Sequence, residues 1–319
     1  MVEIDKKDID LGQICDSGQC FRMRRMDGAS GAEESDIPGR RSGDGESDQE
    51  DTADESTYEI IALDKRLTAR QTADRLYLEC SNEEYEDLWK EYLDMDTDYS
   101  AIKALVDDKD KYLKKAVETG NGLRILKQDL WEMIVTFLIS QQNNIPRIHK
   151  CIDNICREYG EYVGYAEGTG SGSCDGREKT TPTGLQEGAG SSGFYGFPTP
   201  DKLSTLDEDA LMPCNLGYRS KYVVRAARAV SEGSLDLEAI KKMDYPEARE
   251  TLLKVYGIGN KVADCVCLFG LHHLEAFPVD THIKQVLQRE YGAEEGFDHN
   301  RYHKYLGVIQ QYMFYNEIV

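Results

Sequence analysis

The chain has 319 residues, 40% of them hydrophobic, and a formal net charge of −21. That length suits two domains with room for a buried core, while the acidic balance argues against a nucleic-acid partner on charge alone. No apolar run approaches a membrane span and the start, MVEIDKKDID, has no signal-peptide hydrophobic region, which excludes a membrane partner and leaves a cytoplasmic, nucleoid or nuclear setting as the expectation.

Taken in order, residues 8–26 hold short extended runs around Ile14 and at residues 20–23, joined by Asp16-Ser17-Gly18, a pattern that predicts a hairpin or bent strand. Residues 27–57 carry eleven acids and two arginines with almost no large apolar side chain, which predicts disorder. Their net −9 leaves −12 on the rest. A nucleic-acid contact would therefore need a local basic or neutral face, helped by helix N-termini and backbone N–H groups. Strands are expected at residues 57–63 and 75–80, so the acidic segment is a long insertion between strands, tolerable because closure entropy grows slowly with loop length.

From Glu83 onward the period becomes helical, with Tyr85, Leu88, Trp89, Tyr92 and Leu93 spaced by threes and fours. Residues 130–139 predict an apolar helix buried on most sides. Residues 140–144 interrupt it, and Pro146 suits the first turn of a following helix that runs to about Tyr159. Residues 166–193 are mostly Gly, Ser and Thr and predict a flexible insertion. Short helices are expected around residues 201–206 and 208–212, and a long one from Gly217-Tyr218-Arg219 to about Ser231. Two more lead into a hairpin at Gly257, and two follow it. The fold class is α+β: a small antiparallel-sheet domain with flanking helices over residues 1–125, then an all-helical domain over residues 126–319.

The stretch 252–282, LLKVYGIGNKVADCVCLFGLHHLEAFPVDTH, organises the chain. Gly257 and Gly259 bracket Ile258 in a turn that calls for positive φ or close backbone approach. Asn260 reads as the N-cap of the next helix, which places Lys261 in its first turn. The helix dipole there disfavours an ammonium, a poor position for structure and a good one for a free amine nucleophile. Cys265, four residues on, shares the face of Lys261 and reads by itself as a small buried hydrophobe. Asp280 reads as an N-cap for a helix beginning near Thr281.

The hairpin Gly257-Ile258-Gly259, then Lys261, then Pro278-Val279-Asp280 closely resemble the helix-hairpin-helix, Gly-Pro-Asp (HhH-GPD) superfamily of DNA base-excision glycosylases. Within it, the runs KVADC (261–265) and PVDTH (278–282) resemble the 8-oxoguanine DNA glycosylases. The resemblance covers most of the chain outside the two low-complexity stretches, and its motifs are specific through their order. It implies that Lys261 attacks the sugar C1′ and forms a Schiff base, with Asp280 stabilising the positive charge that develops and passing protons. It implies a base pocket with Cys265 on one face of the flipped purine, Phe314 on the other, Gln310 at the Watson–Crick edge, and the carbonyl of Gly18 accepting the N7 proton that only the lesion carries.

By the same resemblance Asn143, Asn144, Arg147, Tyr218 and Arg219 serve the opposite strand, Gly257 and Gly259 the phosphate backbone, and His282 a phosphate. Gln142 stands where the eukaryotic-type family has the asparagine that fills the vacated hole. The carbonyls of Leu253, Val255 and Ile258 resemble those that hold a monovalent cation against a DNA phosphate. No metal or other cofactor is required. No CxxC pair occurs among the nine cysteines and none follows Cys267, so neither a disulfide framework nor an iron–sulfur cluster is expected. The expected partner is damaged duplex DNA, met by a monomer. Competing readings are a glycosylase for another damaged base, whose members generally lack the hairpin lysine, a non-catalytic HhH DNA-binding module, and an acidic scaffold.

Overall fold

The computed structural model of the protein describes residues 1–26, 55–164 and 194–319. Strands β1 (Val2–Asp5), β2 (Met23–Arg25), β3 (Ser56–Ala62), β4 (Lys65–Gln71) and β5 (Arg75–Leu78) form one antiparallel sheet in the order β1-β5-β4-β3-β2. Alternate residues Tyr58, Ile60, Leu67, Ala69, Leu76 and Leu78 are buried, as a sheet with one covered face requires. The expected disordered segments, 27–57 and 166–193, lie outside the described residues except at 55–57, where β3 already begins at Ser56.

In the sheet region two features differ from the sequence reading. Residues around Ile14 form helix α1 (Leu11–Asp16) and not a strand. Asp10 caps it by accepting from the Gln13 N–H at 3.0 Å, and Leu11 and Ile14, three apart, both enter the core. Strands β1 and β4 were absent from that reading. β4, KRLTARQ, alternates in burial, but its inward side chains are only Leu67, Ala69 and Gln71, too little apolar signal to stand out.

The helical region begins in earnest with α2 (Leu130–Ser140), buried at every position from Leu130 to Ile139. Then follow α3 (Ile145–Tyr159), a two-stranded ladder of Tyr162–Gly164 with Phe194–Tyr195, α4 (Ser220–Ser231), α5 (Tyr245–Leu253), α6 (Asn260–Gly270), α7 (Thr281–Tyr291) and α8 (Leu306–Ile318). Three helices follow the hairpin where two were expected. The helix expected over 208–212 is instead a turn leading to a 3₁₀ segment, Met212–Cys214, where Pro213 removes a backbone donor. Residues 217–219 form a 3₁₀ turn feeding α4.

Buried polar clusters tie the N-terminal part of the chain to the later helices. Arg22, beside β2, pairs with Glu132 of α2 at 3.3 Å. Asp94, 1% exposed, accepts from Thr97 and Tyr99 hydroxyls at 2.8 Å each. His272, just past α6, places Nε2 at 3.2 Å from Asp94, close enough for electrostatic attraction though off hydrogen-bond alignment.

Candidate active site

Helix α6 is the axis of the site. Its N-cap is Gly259, without a side-chain cap, and Asn260 is the first helical residue. The expected N-cap role of Asn260 is thus corrected: its Oδ1 accepts from Arg249 Nη2 at 3.2 Å. Arg249 Nε also bonds Asp264 at 2.6 Å, and Tyr245 donates to the same oxygen at 2.9 Å. These contacts bind α5 to α6 on either side of the hairpin. Within the hairpin, Gly257 has φ +93, and a Cβ there would lie 2.7 Å from the Tyr222 ring. Gly259 has φ −98, and a Cβ would meet nothing within 4 Å. The positive φ expected of the turn is found at Gly257, while Gly259 has an ordinary φ and no protein atom close to it.

Lys261 lies in the first turn of α6, its ammonium 5.2 Å from the centroid of the Phe137 ring of α2. Phe137 stacks in turn on Phe269 of α6 at 5.4 Å. Cys265 is 3% exposed, and burial pushes its thiol up to about 11 against the lowering effect of the nearby Lys261. It stays a neutral thiol near pH 7 and does not compete as a nucleophile. Asp280 caps α7, accepting from the Ile283 N–H at 2.9 Å, while its other oxygen lies 3.3 Å from His282 Nδ1. His282 meets the ring of Phe314 edge-on at 5.7 Å.

Lys261, Cys265, Asp280 and Phe314 line one narrow cavity of about 50 Å³, together with Ser17, Gly18, Phe137, Phe269, Pro278, Gln310 and Gln311. Larger cavities lie elsewhere on the molecule but contain none of this chemistry. Gln310 is 5% exposed and its Oε1 has no hydrogen-bond partner, an uncommon state for a buried polar atom. Gly18 has φ +71, and a Cβ there would press on Ile145 and Phe314 at 3.3 and 3.4 Å. The structure therefore brings together Gly18, Lys261, Cys265, Asp280, Gln310 and Phe314. Sequence reasoning missed Phe137, Phe269 and Gln311, which look like ordinary helix core.

A second group sits between α2, α3 and α4. Gln142 is exposed at φ +48, left-handed for a side chain that rarely adopts it. Arg219 is only 4% exposed and makes four hydrogen bonds to backbone carbonyls, of Gln141 twice, Gln142 and Leu216. Its guanidinium also lies 4.6 Å from the exposed Tyr218 ring. Arg219 thus shapes the 141–142 loop from below. Arg147 is exposed and reaches the Asn215 carbonyl at 3.4 Å. Asn143 bonds the Ile139 carbonyl at 3.1 Å, and Asn144 caps α3 through the Arg147 N–H at 2.9 Å. Gln141 Nε2 ties this loop to the Gly257 carbonyl at 3.1 Å, so loop and hairpin form one continuous rim.

Comparison with known proteins places both halves of the chain. The 8-oxoguanine DNA glycosylase N-terminal domain matches residues 1–134, and the HhH-GPD superfamily base excision DNA repair protein matches residues 135–308. An N-glycosylase/DNA lyase of Saccharomyces cerevisiae is 31% identical over 189 residues, 56% of this chain and 44% of that one. An N-glycosylase/DNA lyase of Arabidopsis thaliana is 33% identical over 169 residues, 52% of this chain and 40% of that one. The matched part thus spans less than half the length of these two relatives. A crystal structure of Clostridium acetobutylicum 8-oxoguanine glycosylase/lyase, in complex with double-stranded DNA containing cytosine opposite 8-oxoG, superposes with a TM-score of 0.76 at 30% identity. It covers 99% of this chain and 97% of that one. The five-stranded sheet, the hairpin with its lysine and these matches agree: the chain belongs to the 8-oxoguanine DNA glycosylase family of the HhH-GPD superfamily.

Proposed function

We propose that the protein is a bifunctional DNA glycosylase and abasic-site lyase that removes 8-oxoguanine from duplex DNA, preferring cytosine opposite. The observation that supports this most is the single cavity shared by Lys261, Cys265, Asp280, Gln310, Phe314 and Gly18. A neutral Lys261 amine attacks C1′ as the N-glycosidic bond breaks, and the base leaves with its bonding electrons and takes up a proton. The attached amine gives up one proton, the ring oxygen takes up a proton as it leaves C1′, and the opened sugar is held as a protonated Schiff base. That iminium acidifies C2′, whose proton loss expels the 3′-phosphate by β-elimination. The Asp280 carboxylate stabilises positive charge on the sugar and passes protons. The Phe137 ring face lies against Lys261 Nζ and limits where the amine can swing.

In the pocket, Cys265 and Phe314 take the two faces of the purine and the unpaired Gln310 Oε1 meets its Watson–Crick edge. Gly18 reads position 7, where a carbonyl accepts the lesion's N–H and repels the lone pair of guanine. Arg147, Tyr218, Gln142, Asn143, Asn144 and the loop on Arg219 hold the opposite strand. The open space around Gly259 and the exposed His282 receive backbone phosphates of damaged duplex DNA. A monovalent cation on the carbonyls of Leu253, Val255 and Ile258 belongs to the same proposal. The Val255 carbonyl already accepts the Ile258 N–H at 3.0 Å and has a second lone pair for it. No other cofactor enters, the protein acts as a monomer, and the catalytic domain begins near residue 126. No helix among the described residues is long and apolar enough to cross a membrane. The test is single-turnover excision from duplexes bearing 8-oxoguanine opposite cytosine, 8-oxoguanine opposite adenine, and plain guanine. The expected order is that order, and no excision from any duplex would overturn the proposal.

A further inference from the structure

Gly18 sits between two peptide carbonyls that are each held by a glutamine side chain from elsewhere in the fold. Gln311 of α8, 3% exposed, donates Nε2–H to the Ser17 carbonyl at 2.7 Å. Gln128, 7% exposed and just before α2, donates Nε2–H to the Gln19 carbonyl at 2.8 Å. The Gln128 backbone N–H also bonds the Phe269 carbonyl at 3.1 Å, which registers this segment against the far end of the lysine helix. Gln19 itself is fully buried, its amide bonded to the Arg124 carbonyl at 2.9 Å and its Oε1 to the Leu126 N–H at 2.9 Å. Two residues further on, His149 Nδ1 lies 3.1 Å from the Phe21 carbonyl.

A glycine at φ +71 is the residue whose peptide unit turns over most easily. The peptide carrying the Gly18 carbonyl lies between the two that Gln311 and Gln128 hold. We propose that Gln311 and Gln128 are positioning residues for lesion recognition: they lock both neighbouring peptides so that the Gly18 carbonyl keeps one orientation in the cavity. This deepens the proposed function and rests on it. A rigid acceptor is what separates 8-oxoguanine from guanine, because the two differ at position 7 by a donor against an acceptor. An acceptor free to swing away would lose the gain with the lesion and relieve the repulsion with guanine. A merely structural role for these glutamines would instead affect every activity of the site alike.

The experiment compares two reactions in the same variant. Gln311→Met keeps the length of the side chain and removes its donor. Excision of 8-oxoguanine opposite cytosine should slow about ten- to hundredfold under single-turnover conditions. Strand cleavage at a preformed abasic site uses Lys261 but reads no base, and should stay within about twofold. A parallel fall in both rates, or an unchanged excision rate, would overturn the inference. Gln128→Met is the second variant and carries the same expectation should Gln311→Met fail to fold. A wild-type protein that cleaves abasic sites but leaves 8-oxoguanine in place would overturn the functional reading and this inference with it. A variant that keeps the wild-type ratio overturns this inference alone.

Discussion

Arg219 illustrates how a residue acts through its neighbours. A surface arginine beside an orphaned cytosine would offer its donors outward, yet here three hydrogen bonds go to the backbone carbonyls of Gln141 and Gln142 and a fourth to that of Leu216. The left-handed Gln142 is held by that support, since non-glycine residues persist at positive φ where their surroundings over-determine them. Arg219→Ala should therefore release the loop and slow excision opposite cytosine about tenfold, with a smaller effect opposite adenine. Paired single-turnover rates check it, and an equal loss on both duplexes would assign Arg219 to the fold alone. At this scale the sequence was legible where motif order was informative. Lys261, Cys265, Asp280, Gly18, Gln310 and Phe314 were singled out in advance and line one cavity. Phe137 and Gln311 were not, because an apolar side chain in an apolar helix and a glutamine beside another glutamine carry no distinguishing local pattern.

In the proposed function the hairpin is the element on which DNA contact turns, and its two glycines differ in what the fold asks of them. Gly257 is required by the fold: its φ is +93 and a Cβ would collide with Tyr222. Gly257→Ala should cost about 2–3 kcal/mol in chemical denaturation and weaken DNA binding as the turn distorts. Gly259 has an ordinary φ and empty surroundings, so Gly259→Ala should leave stability within about 0.5 kcal/mol. If a phosphate approaches this backbone, the same change still weakens duplex binding about tenfold. Unchanged binding in Gly259→Ala would remove the phosphate from that position. Sequence alone could not separate the two glycines, because both satisfy the same turn signature. The same limit explains α1, where Leu11 and Ile14 are compatible with a strand or one helical turn until the Asp10 cap decides it. The long helices α2 and α3 were legible because apolar runs and Pro146 mark them unambiguously.

Across the whole molecule, segments distant in the chain are fastened by buried charge as well as by apolar packing. Burial raises the pKa of Asp94, but the His272 ring and the Thr97 and Tyr99 hydroxyls outweigh it and hold the carboxyl below its ordinary value of 3.8. A lowered pKa in the folded state adds stability above the unfolded value, and that stability is lost as pH falls through the folded one. Asp94→Ala should cost about 3 kcal/mol near neutral pH. The stabilities of variant and wild type should converge as pH drops below about 4, and a gap that stays constant down to pH 2 would mean that the carboxylate charge contributes nothing. Such long-range clusters were invisible in the sequence, since Asp94 and His272 lie far apart in the chain. The net charge of −21 is likewise a whole-molecule property, and the family assignment came from motif order in spite of it. The central claim is that Lys261 is the nucleophile, and covalent trapping tests it most directly. Wild type is incubated with a duplex carrying 8-oxoguanine opposite cytosine in the presence of borohydride, and the adduct is mapped by mass spectrometry. The account expects a reduced adduct on Lys261 and none with Lys261→Gln, which should still fold and bind the lesion duplex. An adduct on another residue, or undiminished excision by Lys261→Gln, would contradict it.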